Sequence, residues 1–168
     1  MLSRIFPHFT RRRSRMEVVK KMIEFGISVT RGGELKIGNL NIQDTSLAES
    51  AGVDRRVVRS TVGQILSDSE LGRIFERIRP VGTSLVETAA LLGYHVLLIS
   101  GDAFQAGIIS EVSSVLAENG LVIRQALADD PDMITEPRLT FVVSGDITGN
   151  VLSKLQALPS VRGLTLVK

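Results

Sequence analysis

Arg55, Arg56 and Arg59 stand close together in SLAESAGVDRRVVRST, residues 46–61, with Asp54 before them and Ser60 after. A guanidinium presents a planar fork of N–H donors. It can seat on guanine O6 and N7 in a DNA groove or on phosphate oxygens. Projected on a helical wheel, Val57, Val58, Thr61, Val62, Ile65 and Leu66 fall on one side. Arg56, Arg59, Ser60, Gly63 and Gln64 fall on the other, with Arg55 on the border. The residues alone leave two readings open: a helix delivered into a groove, or an ordinary helix pair with a solvated basic face.

Other chemistry is sparse. There is no cysteine, and the two histidines, His8 and His95, are far apart with no triad-like grouping around them. No enzyme activity and no cofactor are therefore expected. Asp129, Asp130 and Asp132 crowd one loop and offer carboxylates to a divalent cation, but such a turn reads more simply as solvated. Gly32-Gly33 and Gly101 do not form a phosphate loop.

The arginines need elements to carry them. A serine followed three residues later by glutamate is a helix-start signal, because each side chain can bond the other's backbone N–H. It occurs at Ser14/Glu17, Ser46/Glu49, Ser67/Glu70 and Ser84/Glu87, each before an apolar-periodic run. The first helix is expected over about Arg15–Phe25, with Gly26 as its stop. ISVTRGGELKIGNLNI, with turn residues at 31–33 and 38–39, reads as two or three short strands, a hairpin or wing. Helices are expected over 47–51 and 55–66, Asp54 capping the second. Leu71, Ile74, Phe75 and Ile78 make a further helical stripe that ends before Pro80, and a short helix over 85–92 ends at Gly93.

From Tyr94 the pattern changes. HVLLIS, LVIRQALA, RLTFVVSG and VRGLTLVK read as strands, and AGIISEVSSVLAENG and ITGNVLSKLQAL as helices. The order is βαββαβ, the split ferredoxin-like unit. The expected fold class is α+β, with the domain boundary between Ile78 and Tyr94. HVLLIS is apolar at consecutive positions, so both its faces should be covered, one by helices and one by a partner.

Charge divides the same way. The chain has 168 residues, 43% apolar content and a net charge of +2. Residues 1–79 carry 15 Lys and Arg against 9 Asp and Glu, while residues 80–168 carry 5 against 9. The basic half suits a polyanion. No signal peptide is visible in MLSRIFPHFTRRRSR, and AALLGYHVLLI is too short and broken to span a bilayer. A cytoplasmic protein with no membrane partner is expected.

Two resemblances sharpen this. Leu47, Ala48, Ala51, Gly52, Val53 and Val58 resemble the small, turn and apolar positions of the helix-turn-helix of DNA-binding regulators. Thr61 stands where an apolar residue is usual, and it still offers a methyl group. The resemblance implies that Asp54, Arg55, Arg56, Arg59 and Ser60 face the major groove. Lys36, Arg31 and Arg11–Arg13 would contact phosphates. GDAFQAGIISEVSSVLAENGLVI resembles an ACT domain, a small-molecule sensor of amino-acid metabolism, at Asp102, Gly107, Ile108, Val112, Leu116, Gly120 and Ile123. LPSVRGLTLV is similar to that family's last turn and strand.

In such a site Gly107 lets a ligand carboxylate approach the amides of a helix start, and Asp102 or Gln105 holds an ammonium group. Ala106 stands where a proline often precedes the glycine. Val122 stands where amino-acid-binding members often have asparagine. The ligand is then more apolar, or the site is vestigial and the half a dimerisation module.

Together the halves resemble an archaeal family of predicted regulators of amino-acid metabolism. The resemblance implies a DNA-binding region over 1–79, a connecting segment over 80–93 and an ACT domain over 94–168. It also implies a homodimer that binds DNA and an amino-acid effector. The alternative is a regulatory subunit that docks on a biosynthetic enzyme without touching DNA.

Overall fold

The computed structural model describes residues 2–131 and 134–167, so Met1, Asp132, Met133 and Lys168 lie outside the described residues. The chain is a mixed α/β protein with two antiparallel sheets. It divides into two compact units, Met1–Gly82 and Thr83–Lys168.

The first unit opens with a single helical turn, α1 (Leu2–Ile5), and a 3-10 turn at Phe6–His8. Next comes α2 (Arg13–Glu24), which buries Val18, Val19 and Met22. The glycine-rich stretch forms three short strands, β1 (Ile27–Val29), β2 (Leu35–Ile37) and β3 (Leu40–Ile42), in an antiparallel meander. Gly38-Asn39 reverses the chain so that Ile37 pairs with Leu40. Three helices follow: α3 (Asp44–Ser50), α4 (Arg55–Ser67) and α5 (Ser69–Arg77).

The apolar stripe of α4 behaves as its periodicity requires at Val58, Thr61, Val62 and Ile65, which are buried. Leu66, placed on that stripe by the wheel, is exposed instead. Thr61 takes its core position by donating its hydroxyl to Val57 O at 2.8 Å, so no buried donor is left open. Leu71 and Phe75 of α5 close the core.

The serine boxes do not cap these helices. Ser14 and Ser46 lie inside α2 and α3, whose preceding residues, Arg12 and Gln43, make no side-chain cap. Ser67 ends α4 and donates back to Gln64 O, while Asp68 accepts from the N–H groups of Glu70 and Leu71 and so caps α5. Aspartate caps a helix as well as serine does and adds charge complementary to the exposed N–H groups.

The second unit runs β4 (His95–Gly101), α6 (Ile108–Glu118), β5 (Val122–Ala128), β6 (Leu139–Ser144), α7 (Gly149–Gln156) and β7 (Val161–Val167). The strands lie in the order β5-β6-β4-β7, all neighbours antiparallel. One face carries Leu97, Ile99, Phe141 and Val143, which pack with Val112 and Leu116 of α6 and Val151 and Leu155 of α7.

Residues 83–93 cover part of the other face. The helix expected over 85–92 reduces to turns and a 3-10 segment at Ala90–Leu92, stopped by Gly93 at φ 71°. Its preceding stretch is strapped to the sheet. Leu85 N–H donates to the Gln125 amide oxygen at 2.9 Å, and the Gln125 amide nitrogen donates to Thr83 O at 2.9 Å. Ala89, Val96 and Val142 form a buried cluster beneath the strap, flanked by Leu85, Val86 and Tyr94. The second face of β4 is thus covered at Val96 by the chain itself, which sequence reasoning assigned to a partner. Thr165 and Val167, which pair with Leu98 and Val96, stay exposed.

Candidate functional site

The helix pair α3–α4 turns through Ala51–Asp54. Gly52 takes φ 63°, and an added Cβ there would meet nothing within 4 Å, so the glycine serves the backbone rather than the space. Val53 N–H bonds Ala48 O at 2.9 Å and closes the turn. Asp54 then caps α4, its carboxylate accepting from Arg56 N–H at 2.7 Å. That cap fixes the start of the helix and hence the direction of the arginines.

Asp54, Arg55, Arg56, Arg59 and Ser60 line one shallow concavity at this helix start. Their side chains are not equivalent. Arg56 has no ion pair or side-chain hydrogen bond among the described residues. Arg55 Nε lies 3.7 Å from Asp44 Oδ2, and Arg59 Nε is in direct contact with the same oxygen. Asp44 is buried, and its Oδ2 is held by charge without an aligned hydrogen bond. Ser60 donates to Val57 O at 2.9 Å, which leaves its oxygen as an acceptor.

Sequence reasoning missed Asp44. Its position at the start of α3 gives no local sign that it meets α4 across the turn. Of the expected phosphate contacts, Arg11, Arg12 and Arg13 are exposed, Lys36 is half-buried, and Arg31 pairs with Glu76 at 3.1 Å.

A polar seam braces this unit. Arg15 donates to Gln64 Oε1 at 2.5 Å, and Gln64 donates to His8 O at 2.8 Å. Burial, with Arg12 nearby, lowers the Arg15 pKa. His8 Nδ1 lies 3.3 Å from Asp68 Oδ2. The Asp68 carboxyl sits below its ordinary value, chiefly because Leu71 N–H donates to it, with Glu70 N–H and His8 adding to the effect.

In the second unit, Asp102, Gln105, Ala106, Gly107 and Ile108 line one cleft of about 210 Å³, and Arg138 is also among its lining residues. Gly107 takes φ 113° and ψ −25° at the start of α6, with no side-chain cap. Among the described residues, no side chain caps the first amides of that helix. Asp102 is already engaged: Oδ1 accepts from Phe104 N–H at 3.0 Å, and Arg162 Nη2 lies 3.4 Å from Oδ2. Val122 opens β5, is exposed, and is not among the residues that line the cleft. Arg138 is the cation that sequence reasoning overlooked, and its place at the head of RLTFVVSG was the only available signal.

The acidic loop has a structural use. Asp129 N–H donates to Arg138 O at 3.0 Å, and Asp129 Oδ2 accepts from Arg138 N–H at 3.1 Å. Asp132 lies outside the described residues, and the described ones contain no group of three or more metal-ligating side chains. His8 and His95 fall in different units. No helix among the described residues is long and apolar enough to cross a membrane.

No family model matches the chain, and no curated protein matches it. The chain is similar to a solved structure described as "Crystal structure of PH0061", at 13% identity over 92% of this chain and 89% of that one, with a TM-score of 0.29. A likeness at that score carries no argument about fold or function.

Proposed function

We propose that the chain is a DNA-binding transcription regulator whose second unit senses an amino acid. In this reading the first unit is a helix-turn-helix with a small wing, and the second is a ferredoxin-like ACT domain acting within a homodimer. One observation carries it. Asp54, Arg55, Arg56, Arg59 and Ser60 share a surface at the start of a capped helix that follows a glycine turn. That is where a recognition helix exposes its first turns to the major groove. The open amides of α6 beside Arg138 suit a carboxylate, and the modest cleft suits a small effector.

Fluorescence anisotropy with labelled duplexes tests it. Binding should fall steeply with salt. Arg56→Ala should cost about 1–3 kcal/mol and relax base preference, while Arg12→Ala should weaken all sequences alike. Absence of binding to any duplex at low salt would refute the reading. An effector should raise the melting temperature in a screen of the common amino acids. Its effect on DNA affinity should be matched by an equal effect of DNA on effector affinity.

One observation favours the rival reading, a subunit that docks on an enzyme. Arg31, Arg55 and Arg59 already have acidic partners within the unit. That reading requires no DNA binding at any salt.

A further inference from the structure

We propose that Asp44 is a positioning residue for the arginine face, holding Arg55 and Arg59 in one orientation so that the surface selects among DNA sequences rather than binding any polyanion. The inference rests on the DNA-binding reading above. Asp44 is only 8% exposed, whereas the Arg55 and Arg59 side chains are 61% and 59% exposed. A carboxylate so buried must be paired. Here the pairing comes from two arginines one helical turn apart on α4, each turning its Nε edge inward to the same oxygen.

The geometry divides each guanidinium into two edges. The Nε edge faces Asp44, in direct contact at Arg59 and at ion-pair distance, 3.7 Å, at Arg55. The two Nη atoms are left as the fork for an acceptor pair such as guanine O6 and N7. An arginine ordered before binding loses less rotamer freedom when it binds. A freely moving arginine reaches phosphates of any sequence.

Charge acts in the same direction. Asp44 removes one unit of positive charge from the face and so weakens attraction to backbone phosphates, which carry no sequence information. The neighbouring cleft of about 360 Å³, beside the turns of the meander, has Arg55 and Arg59 as its only lining cations. Its other lining acid, Glu34, is exposed. Asp44 is the buried carboxylate that fixes them.

The test uses the full chain and a pool of random-sequence duplexes. Wild type is taken through rounds of selection, and affinity is measured for an enriched duplex and for its scrambled counterpart at two salt concentrations. Asp44→Asn keeps the side-chain shape and removes the charge. It should bind the scrambled duplex as tightly as wild type or more tightly. Its preference for the enriched duplex should fall roughly 5- to 150-fold, the range of one lost bidentate base contact.

A folding defect would weaken both duplexes equally, and that result would overturn the positioning role. A second variant guards the conclusion. In the Arg55→Ala, Arg59→Ala background, adding Asp44→Asn should change selectivity no further, because its partners are gone. A further full-sized loss there would also overturn the proposal. If wild type binds duplexes but enriches none, positioning falls and DNA binding stands. If wild type binds no duplex at all, the DNA-binding reading falls and takes the positioning role with it.

Discussion

Gly107→Ala isolates the role of backbone conformation at the cleft. The residue stands at φ 113°, a region that L-residues avoid. An added Cβ meets only Glu111 Oε1, at 3.8 Å, an ordinary contact. The penalty is therefore strain and not crowding, about 1–3 kcal/mol. For a unit of this size each kcal/mol shifts the melting temperature by about 4–8 °C. The expected loss is about 4–24 °C, confined to the second unit.

The chain provides its own reporter. It has one tyrosine and no tryptophan, and Tyr94 lies in the second unit beside the strap. Intrinsic fluorescence thus follows that unit, while far-UV circular dichroism follows both. A Tyr94 transition within about 2 °C of wild type would refute the argument. It would mean that the loop reaches α6 through another conformation at no cost. The same variant should also lose effector response, since the first amides of α6 would be redirected.

Asp68→Ala should destabilise the first unit by about 0.5–2 kcal/mol at neutral pH, through loss of the α5 cap. The Asp68 pKa is lowered on folding, so its contribution is full above the unfolded value and is lost as pH falls through the folded one. The gap between wild type and variant in urea melts should therefore close below about pH 4. Gln125→Ala removes both strap bonds, each worth about 1 kcal/mol. Amide exchange at Leu85 should accelerate roughly fivefold or more, while Val142 in the sheet interior stays protected; equal protection at Leu85 would contradict the strap.

Periodicity made the helices of the second unit legible, because α6 and α7 each bury one face, while continuous apolar runs marked β4 and β6, which bury residues on both faces. The helices of the first unit were legible for the same reason, and the turn at Gly52 announced itself by residue type. Their starts were not. Ser67 and Asp68 both could cap, and only the path of the chain decides that Ser67 ends one helix while Asp68 begins the next. The stretch 85–92 has a helix-start signal, yet Gln125, distant in sequence, captures Leu85 N–H and holds the segment as a strap. The candidate site was legible as residue types and not as partners. Arg55, Arg56 and Arg59 look alike in sequence, and the buried carboxylate of Asp44 makes two of them different from the third.

The strand order of the second sheet sets a schedule. β4 lies between β6 and β7, so the first strand of the unit to be synthesised waits for the last to complete its pairing. Until Val161–Val167 has been made, one edge of β4 offers bare N–H and C=O groups along an apolar strand, a template for pairing with other chains. Such distant pairing also closes slowly. The meander of the first unit pairs only successive strands and can form as soon as it is made. A nascent chain therefore carries a finished amino-terminal unit tethered to an unfinished sheet, and the interval between them is when this protein is most exposed to misassembly.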